Sequence, residues 1–165
     1  MLLVTLALAA YFYDSARWFS EDAQQVSRVS AALSETEAIA RETYATMQQL
    51  EAAARLGQPV STPIVAESVA ATRGAYERLR ALETSGEPLA GSAMASLDEL
   101  ERASDAVFQG AQGVESALLA GDLEGALAAL GRMDSQGVTS RFQGLVLPVL
   151  DEQRRTLNEL GQTAV

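Results

Sequence analysis

Apolar and small residues recur along the first third of the chain at alternating steps of three and four, which is the spacing of a heptad repeat. The repeat runs from Phe19 to Ala54 and consists of Phe19, Asp22, Val26, Val29, Leu33, Thr36, Ala40, Thr43, Met47, Leu50 and Ala54. Helices with this spacing bury one continuous stripe against their neighbours. The pattern therefore predicts a long first helix that ends at about Leu56, where Gly57 and Pro59 stop it.

Two further helical segments follow, separated by turns that contain glycine and proline. The second helix is predicted to begin with Ser61 or Thr62 as its N-cap and with Pro63 in its first turn, where the missing N–H of proline is tolerated. The segment TSGEPLAG then interrupts the chain. A third helix carries apolar residues at heptad spacing and is predicted to end at Gly121.

The last helix is predicted to begin after Asp122, its N-cap, and to continue to about Gly161 with a bend at Pro148. Each glycine inside it weakens the helix by about 1 kcal/mol relative to alanine. These glycines are Gly125, Gly131, Gly137 and Gly144. We interpret them as sites of close helix contact or as tolerated positions, in preference to a functional hinge.

Together these elements predict an all-α fold, an antiparallel up-down-up-down four-helix bundle with long first and fourth helices. In such a bundle both chain ends lie on the same side. Residues 14–165 are interpreted as this domain, and residues 1–13 as the end of a truncated membrane span. The opening apolar stretch is too short to cross a bilayer by itself, and aromatic residues from Tyr11 to Trp18 follow it, as they do at membrane interfaces.

Composition narrows the range of functions. The formal charge of −10 and the pI of about 4.4 argue against nucleic acid as a partner, because phosphates require a basic surface. The chain has no cysteine and no histidine, which excludes disulfides, zinc sites built from these residues and histidine-ligated haem. No nucleophile elbow or phosphate-binding loop is present. We therefore expect no enzymatic activity, no cofactor and no metal site.

Three features carry a resemblance to a known family: the apolar start of a long first helix, the turn GDLEGALAALGRM and the run FQGLVLPVLDEQRRTLNEL. In these the sequence resembles the extracytoplasmic four-helix-bundle sensor domains of bacterial chemoreceptors and sensor histidine kinases. The resemblance covers the whole chain. It implies a periplasmic domain of an inner-membrane receptor, connected to the membrane by flanking spans. It also implies a homodimer that binds a small ligand and signals by displacing its last helix.

A stripe of small residues flanks the heptad seam on the lower half of the first helix. It consists of Ser20, Ala23, Ser27, Ser30 and Ser34. Small side chains allow two helices to approach closely, so this stripe is a candidate dimer interface with a second copy of the chain. The other interpretation is an ordinary solvated face that is rich in serine.

The upper half of the same stripe is charged and aromatic, and we expect it to bind a small organic anion such as an amino acid or another carboxylate. Arg41 and Arg55 resemble, by placement, the first-helix arginines with which related sensors hold a carboxylate, and a guanidinium suits that task. The predicted ligand-binding residues are Arg41, Tyr44, Gln48, Arg55, Arg73 and Arg132. Alternatively, these arginines form ion pairs at helical spacing, with Glu37, Glu51, Glu77 or Asp134 as partners.

The sequence is also compatible with a second class of function. The chain is alternatively a structural or scaffolding bundle that recruits a partner protein and binds no small molecule. In the full-length gene, a second apolar span followed by a signalling module would favour the sensor.

The opening segment allows a first test. If residues 2–13 are the end of a membrane span, deleting them should leave the thermal midpoint of the domain nearly unchanged and improve solubility. If they belong to the core, each lost apolar side chain removes about 1.5–3 kcal/mol, and the domain should unfold. Thermal unfolding followed by circular dichroism measures the difference, and a large drop in midpoint contradicts the membrane interpretation.

Overall fold

The computed structural model describes residues 2–58, 60, 62–84 and 93–163, with side chains described over 23–58, 60, 62–84 and 97–162. Within these residues the chain forms five α-helices and no strand, which confirms the predicted all-α class. The helices are α1 (Leu2–Leu56), α2 (Val65–Thr84), α3 (Ala93–Leu119), α4 (Leu123–Ser135) and α5 (Val138–Thr163).

The predicted seam of α1 is the buried face of that helix. Its described positions from Val29 to Ala54 are buried, apart from the half-buried Leu33, and Val26 is also half-buried. The side chains of Phe19 and Asp22 lie outside the described residues. α1 contacts each of the four other helices, so the seam is the surface on which they pack.

Two threonines on this seam are buried without a polar partner on another helix. The Thr36 hydroxyl donates to the Ala32 carbonyl at 2.9 Å, and the Thr43 hydroxyl donates to the Ile39 carbonyl at 2.8 Å. Each hydroxyl is therefore satisfied within its own helix, as threonine in a helix interior often is. Both positions tolerate burial because neither hydroxyl is left without a hydrogen-bonding partner.

Glycine ends α1 and α3 as the sequence predicts. Gly57 and Gly121 have φ angles of 63° and 73°, in the left-handed region that glycine adopts at low cost. After Gly57, the Gln58 amide donates to the Ala53 carbonyl at 2.9 Å, the long hydrogen bond of a Schellman motif. The first turn between helices is therefore encoded locally.

The start of α2 differs from the prediction. The helix begins at Val65, so Pro63 precedes it, while Ser61 lies outside the described residues. Glu115 of α3 takes the place of a local cap: its Oε1 accepts from the Ile64 amide at 2.5 Å and from the Val65 amide at 3.0 Å. A carboxylate at this end of a helix also interacts favourably with the helix dipole.

The predicted fourth helix is two helices. Asp122 does cap its start, since its Oδ1 accepts from the Gly125 amide at 2.8 Å. The interruption falls at Gly137, which has a φ of 63°, whereas α5 continues through Pro148. Our interpretation of Gly137 as a contact or tolerated position was therefore wrong. Pro148 lies inside α5 at an exposed position, and the helix continues on both sides of it.

The core lies between α1 and the other four helices. Its largest fully buried side chains include Tyr76, Phe142, Ile39 and Leu50. α3 and α4 approach each other closely at Gly110, where an added Cβ would lie 2.6 Å from Met133 Sδ. This glycine therefore makes room for a buried methionine.

The opening segment is helical from Leu2, and α1 runs without a break through the predicted boundary between Tyr13 and Asp14. The side chains of residues 2–22 lie outside the described residues. None of the five helices contains, among its described residues, an apolar stretch of the length that a bilayer crossing requires. The assignment of residues 1–13 to a membrane span stays a prediction.

The contact between Glu115 and α2 generates a prediction. Glu115 is only 7 % exposed, so Glu115→Ala would leave the part-buried Ile64 amide and the buried Val65 amide without this acceptor and should destabilise the domain by about 1–3 kcal/mol. Glu115→Gln should cost less, because its amide oxygen still accepts. Urea unfolding measures both, and Glu77→Ala, an exposed site on α2, is the control that should change stability by less than about 0.5 kcal/mol. Equal effects of Glu115→Ala and Glu77→Ala would contradict the capping role.

Candidate functional site

A groove lies where α3 passes the break between α4 and α5. It encloses about 320 Å³, within the range of small-molecule sites. Glu99, Arg102, Ala103 and Ala106 line it from α3, and Gln136, Val138 and Arg141 line it from the break and the start of α5. The groove therefore combines a small apolar floor with charged groups at its edges.

Local sequence explains why both arginines lie at the edge of this groove. Arg102 is exposed next to the buried Ala103, and Arg141 is exposed next to the buried Phe142. Each helix therefore places its neighbouring residue in the core and its arginine at the surface. The two arginines share one groove only because α3 and α5 contact each other.

The guanidinium groups of Arg102 and Arg141 form no ion pair with any described residue. The Arg102 Nε donates to the Asp98 carbonyl at 3.0 Å, which leaves its terminal nitrogens available. Other arginines of the described chain are bound to carboxylates, namely Arg55, Arg78, Arg80 and Arg154. On a chain with a formal charge of −10, two unpaired arginines at one groove make its surroundings locally more favourable to an anion than the rest of the surface.

The α1 residues predicted to bind ligand have different environments. Arg55 is paired with Glu51 one turn away at 2.5 Å, the arrangement that our alternative interpretation expected. Arg41 and Gln48 are exposed, and neither lines the groove. Tyr44 is half-buried, and its ring meets the Phe142 ring edge-on with centroids 5.7 Å apart. This stripe therefore borders α5.

Burial also affects the chemistry of Tyr44. Its hydroxyl makes no hydrogen bond with any described residue, and burial raises its pKa above the usual tyrosine value. About two turns earlier on α1, Glu37 accepts a hydrogen bond from the Arg154 guanidinium of α5 at 2.9 Å. Glu37 therefore pairs across helices and not with Arg41, the neighbour at helical spacing.

The two remaining predicted ligand residues lie elsewhere. Arg132 is exposed on α4 and does not line the groove, although the break that follows α4 does. Arg73 is exposed on α2 and lines a separate cavity of about 40 Å³ between α2 and α3. The structure thus brings Arg102 and Arg141 together, and these two residues were missed by sequence reasoning. Gly137, which follows the C-cap of α4, is a local sequence signal near this region, but the sequence did not distinguish it from the other glycines of the predicted fourth helix.

The predicted dimer stripe is at the surface wherever its side chains are described. Ala23, Ser27, Ser30 and Ser34 are exposed, and the side chain of Ser20 lies outside the described residues. The stripe is therefore accessible to a second copy of the chain. Its role as an interface stays a prediction.

The described residues contain no cluster of three or more acidic side chains suited to hold a metal ion. The groove instead offers two guanidinium groups, one carboxylate at Glu99 and one amide at Gln136. Guanidinium groups bind carboxylates and phosphates through paired, charge-assisted hydrogen bonds. The groove is therefore suited to reversible binding of an organic anion.

No known protein family, curated protein or solved structure matches this chain. The resemblance to bacterial sensor domains accordingly stays a prediction from sequence features.

Proposed function

We propose that the chain is the extracytoplasmic ligand-binding domain of a transmembrane receptor, a chemoreceptor or a sensor kinase, and that it binds a small organic anion in the groove between α3 and α5. The observation that carries this proposal is the pair of arginines, Arg102 and Arg141, which flank the groove without carboxylate partners. In this assignment the domain lies in the periplasm and membrane spans flank it.

The location of the groove supports a signalling role. A ligand held by Arg102 and Arg141 would contact α3 and the first turn of α5 together. The positive end of α5 lies at the same groove, and its first turn contains no acidic residue that would compete with an anion. A ligand that binds one position of α5 more tightly than another shifts the population toward that position. The break at Gly137 leaves α5 attached to α4 by a short turn, as such a displacement requires.

The proposed architecture is an antiparallel bundle in which α4 and α5 together form the fourth member. Cross-helix bonds support the antiparallel order of α1 and α2. Arg28 of α1 donates to the Leu82 carbonyl, Glu35 binds Arg78, and Glu42 accepts from Ser68, so rising numbers on α1 meet falling numbers on α2. Similarly, Tyr44 meets Phe142 while Glu37 meets Arg154.

A scaffolding function has one observation in its favour. Four exposed leucines lie near the turns that end α1 and α3: Leu56, Leu119, Leu123 and Leu127. Leu123 is adjacent to Gly57, because a Cβ added there would lie 3.6 Å from its side chain. Exposed apolar groups of this kind can bind a partner protein. The two functions differ in whether a small ligand binds.

Titration calorimetry with a panel of amino acids, dicarboxylates and aromatic acids tests the anion site. We expect Arg102→Ala and Arg141→Ala each to weaken binding at least tenfold, or about 1.4 kcal/mol. Arg155→Ala removes an exposed arginine of α5 that does not line the groove and is the matched control, which should leave binding unchanged.

Two results would contradict this assignment. If only Arg41→Ala and Arg55→Ala weaken binding, the ligand occupies the α1 site predicted from sequence and not the groove. If no member of the panel binds, the anion-sensor proposal fails and the scaffold is favoured.

The proposed homodimer is tested by sedimentation velocity. Ser27→Arg with Ser30→Arg places two bulky charges on the exposed stripe of α1 and should abolish dimers without unfolding the monomer. Gln109→Arg with Gln112→Arg changes two exposed polar residues at the same spacing on α3; it is the control and should leave the dimer intact. An interface elsewhere is indicated if the α1 variant still forms dimers.

A further inference from the structure

One carboxylate lies among the positive groups of the groove between α3 and α5. Glu99 of α3 lines this groove together with Arg102, three residues further along the same helix, and with Arg141 of α5. Glu99 is exposed and forms no ion pair with any described residue. The groove therefore presents one unpaired negative charge beside two unpaired positive charges.

The neighbouring carboxylates of α3 are engaged elsewhere. Asp98 and Glu101 both bind Arg80 of α2, and neither lines the groove. Arg102 donates through its Nε to the backbone carbonyl of Asp98 at 3.0 Å and does not pair with Glu99. Among the described residues, Glu99 is thus the acidic side chain that lines the groove, and its carboxylate oxygens are free to accept hydrogen bonds.

The spacing of these charges indicates what a ligand should carry. Glu99 and Arg102 are three residues apart, which corresponds to about 4.5 Å of rise along α3. If Arg102 and Arg141 hold an anionic group, a second ligand group about one helical turn away lies near Glu99. An ammonium group is attracted to that position, whereas a second carboxylate is repelled. Unpaired charges that repel one ligand are a common means of discriminating between similar ligands.

We propose that Glu99 determines the specificity of this groove: it favours a zwitterion whose ammonium group is several bonds from its anionic group, and it disfavours dianions. Arg102 and Arg141 bind the anionic group, and the Glu99 carboxylate accepts hydrogen bonds from the ammonium group. This inference rests on the proposed function, because it concerns the same groove and requires that an anion binds there.

Titration calorimetry with three probes of matched length tests the proposal. Butyrate carries one negative charge, 4-aminobutyrate adds an ammonium group at the other end, and glutarate adds a second carboxylate there. The wild-type protein should bind 4-aminobutyrate at least about threefold more tightly than either of the other probes. Glu99→Gln should weaken the binding of 4-aminobutyrate and strengthen that of glutarate, each by at least about threefold. Low ionic strength is required, because salt screens exposed charges.

The control separates a local charge from the net charge of the protein. Glu77→Gln removes one exposed carboxylate from α2 and changes the net charge equally, but Glu77 does not line the groove. It should leave the order of the three probes unchanged. If Glu99→Gln instead strengthens the binding of all three probes alike, Glu99 only competes for the arginines and the proposal is overturned.

Two further outcomes distinguish a failure of this inference from a failure of the proposed function. If Arg102→Ala weakens the binding of butyrate or glutarate but the wild-type protein does not prefer 4-aminobutyrate, the role of Glu99 is wrong while the anion site stands. If none of the three probes binds, the role of Glu99 is also wrong, and the larger panel of acids then decides separately whether the groove binds an anion.

Discussion

The buried seam of α1 is the constraint on which the other helices depend. α1 contacts α2, α3, α4 and α5, and its described seam is closed by small and medium-sized side chains from Val29 to Ala54. Its two buried threonines donate hydrogen bonds to carbonyls of their own helix. Their hydroxyls therefore need no hydrogen-bonding partner on the helices that pack against the seam. The neighbours are therefore placed mainly by shape and by polar contacts at the margins of the core.

Polar contacts at the margins of the core determine the position of α2. Ser68 of α2 donates to Glu42 of α1 at 2.8 Å and lies 2.7 Å from the Thr46 hydroxyl, while Glu115 of α3 holds the first amides of α2. At the other end of α2, Arg80 binds Glu101 of α3. These bonds come from two helices, so α2 is fixed relative to both.

The break between α4 and α5 determines the shape of the groove that we propose as a ligand site. Met133 before the break is buried against α3, and Phe142 after it packs against Tyr44 of α1. The chain changes direction at Gly137 between these two anchors, and the groove with Arg102 and Arg141 lies beside that change. An uninterrupted helix would give Arg141 a different position relative to α3. The proposed anion site therefore depends on the backbone of one glycine as well as on two arginines.

Sequence alone determined the helical class, the seam of α1, the glycine-ended turns after α1 and α3, and the Asp122 cap. All of these follow from interactions between residues a few positions apart, which leave a visible period or a turn residue in the sequence. Tertiary structure decided the features that join distant segments. Glu115 reaches the amide of Ile64 at the start of α2, and Arg102 shares a groove with Arg141. Gly125, Gly131, Gly137 and Gly144 have the same intrinsic backbone freedom, so local propensity cannot select among them. The structure places the break at Gly137, between Met133, which is buried against α3, and Phe142, which packs against α1. Packing compares whole arrangements of the chain, whereas propensity compares single residues.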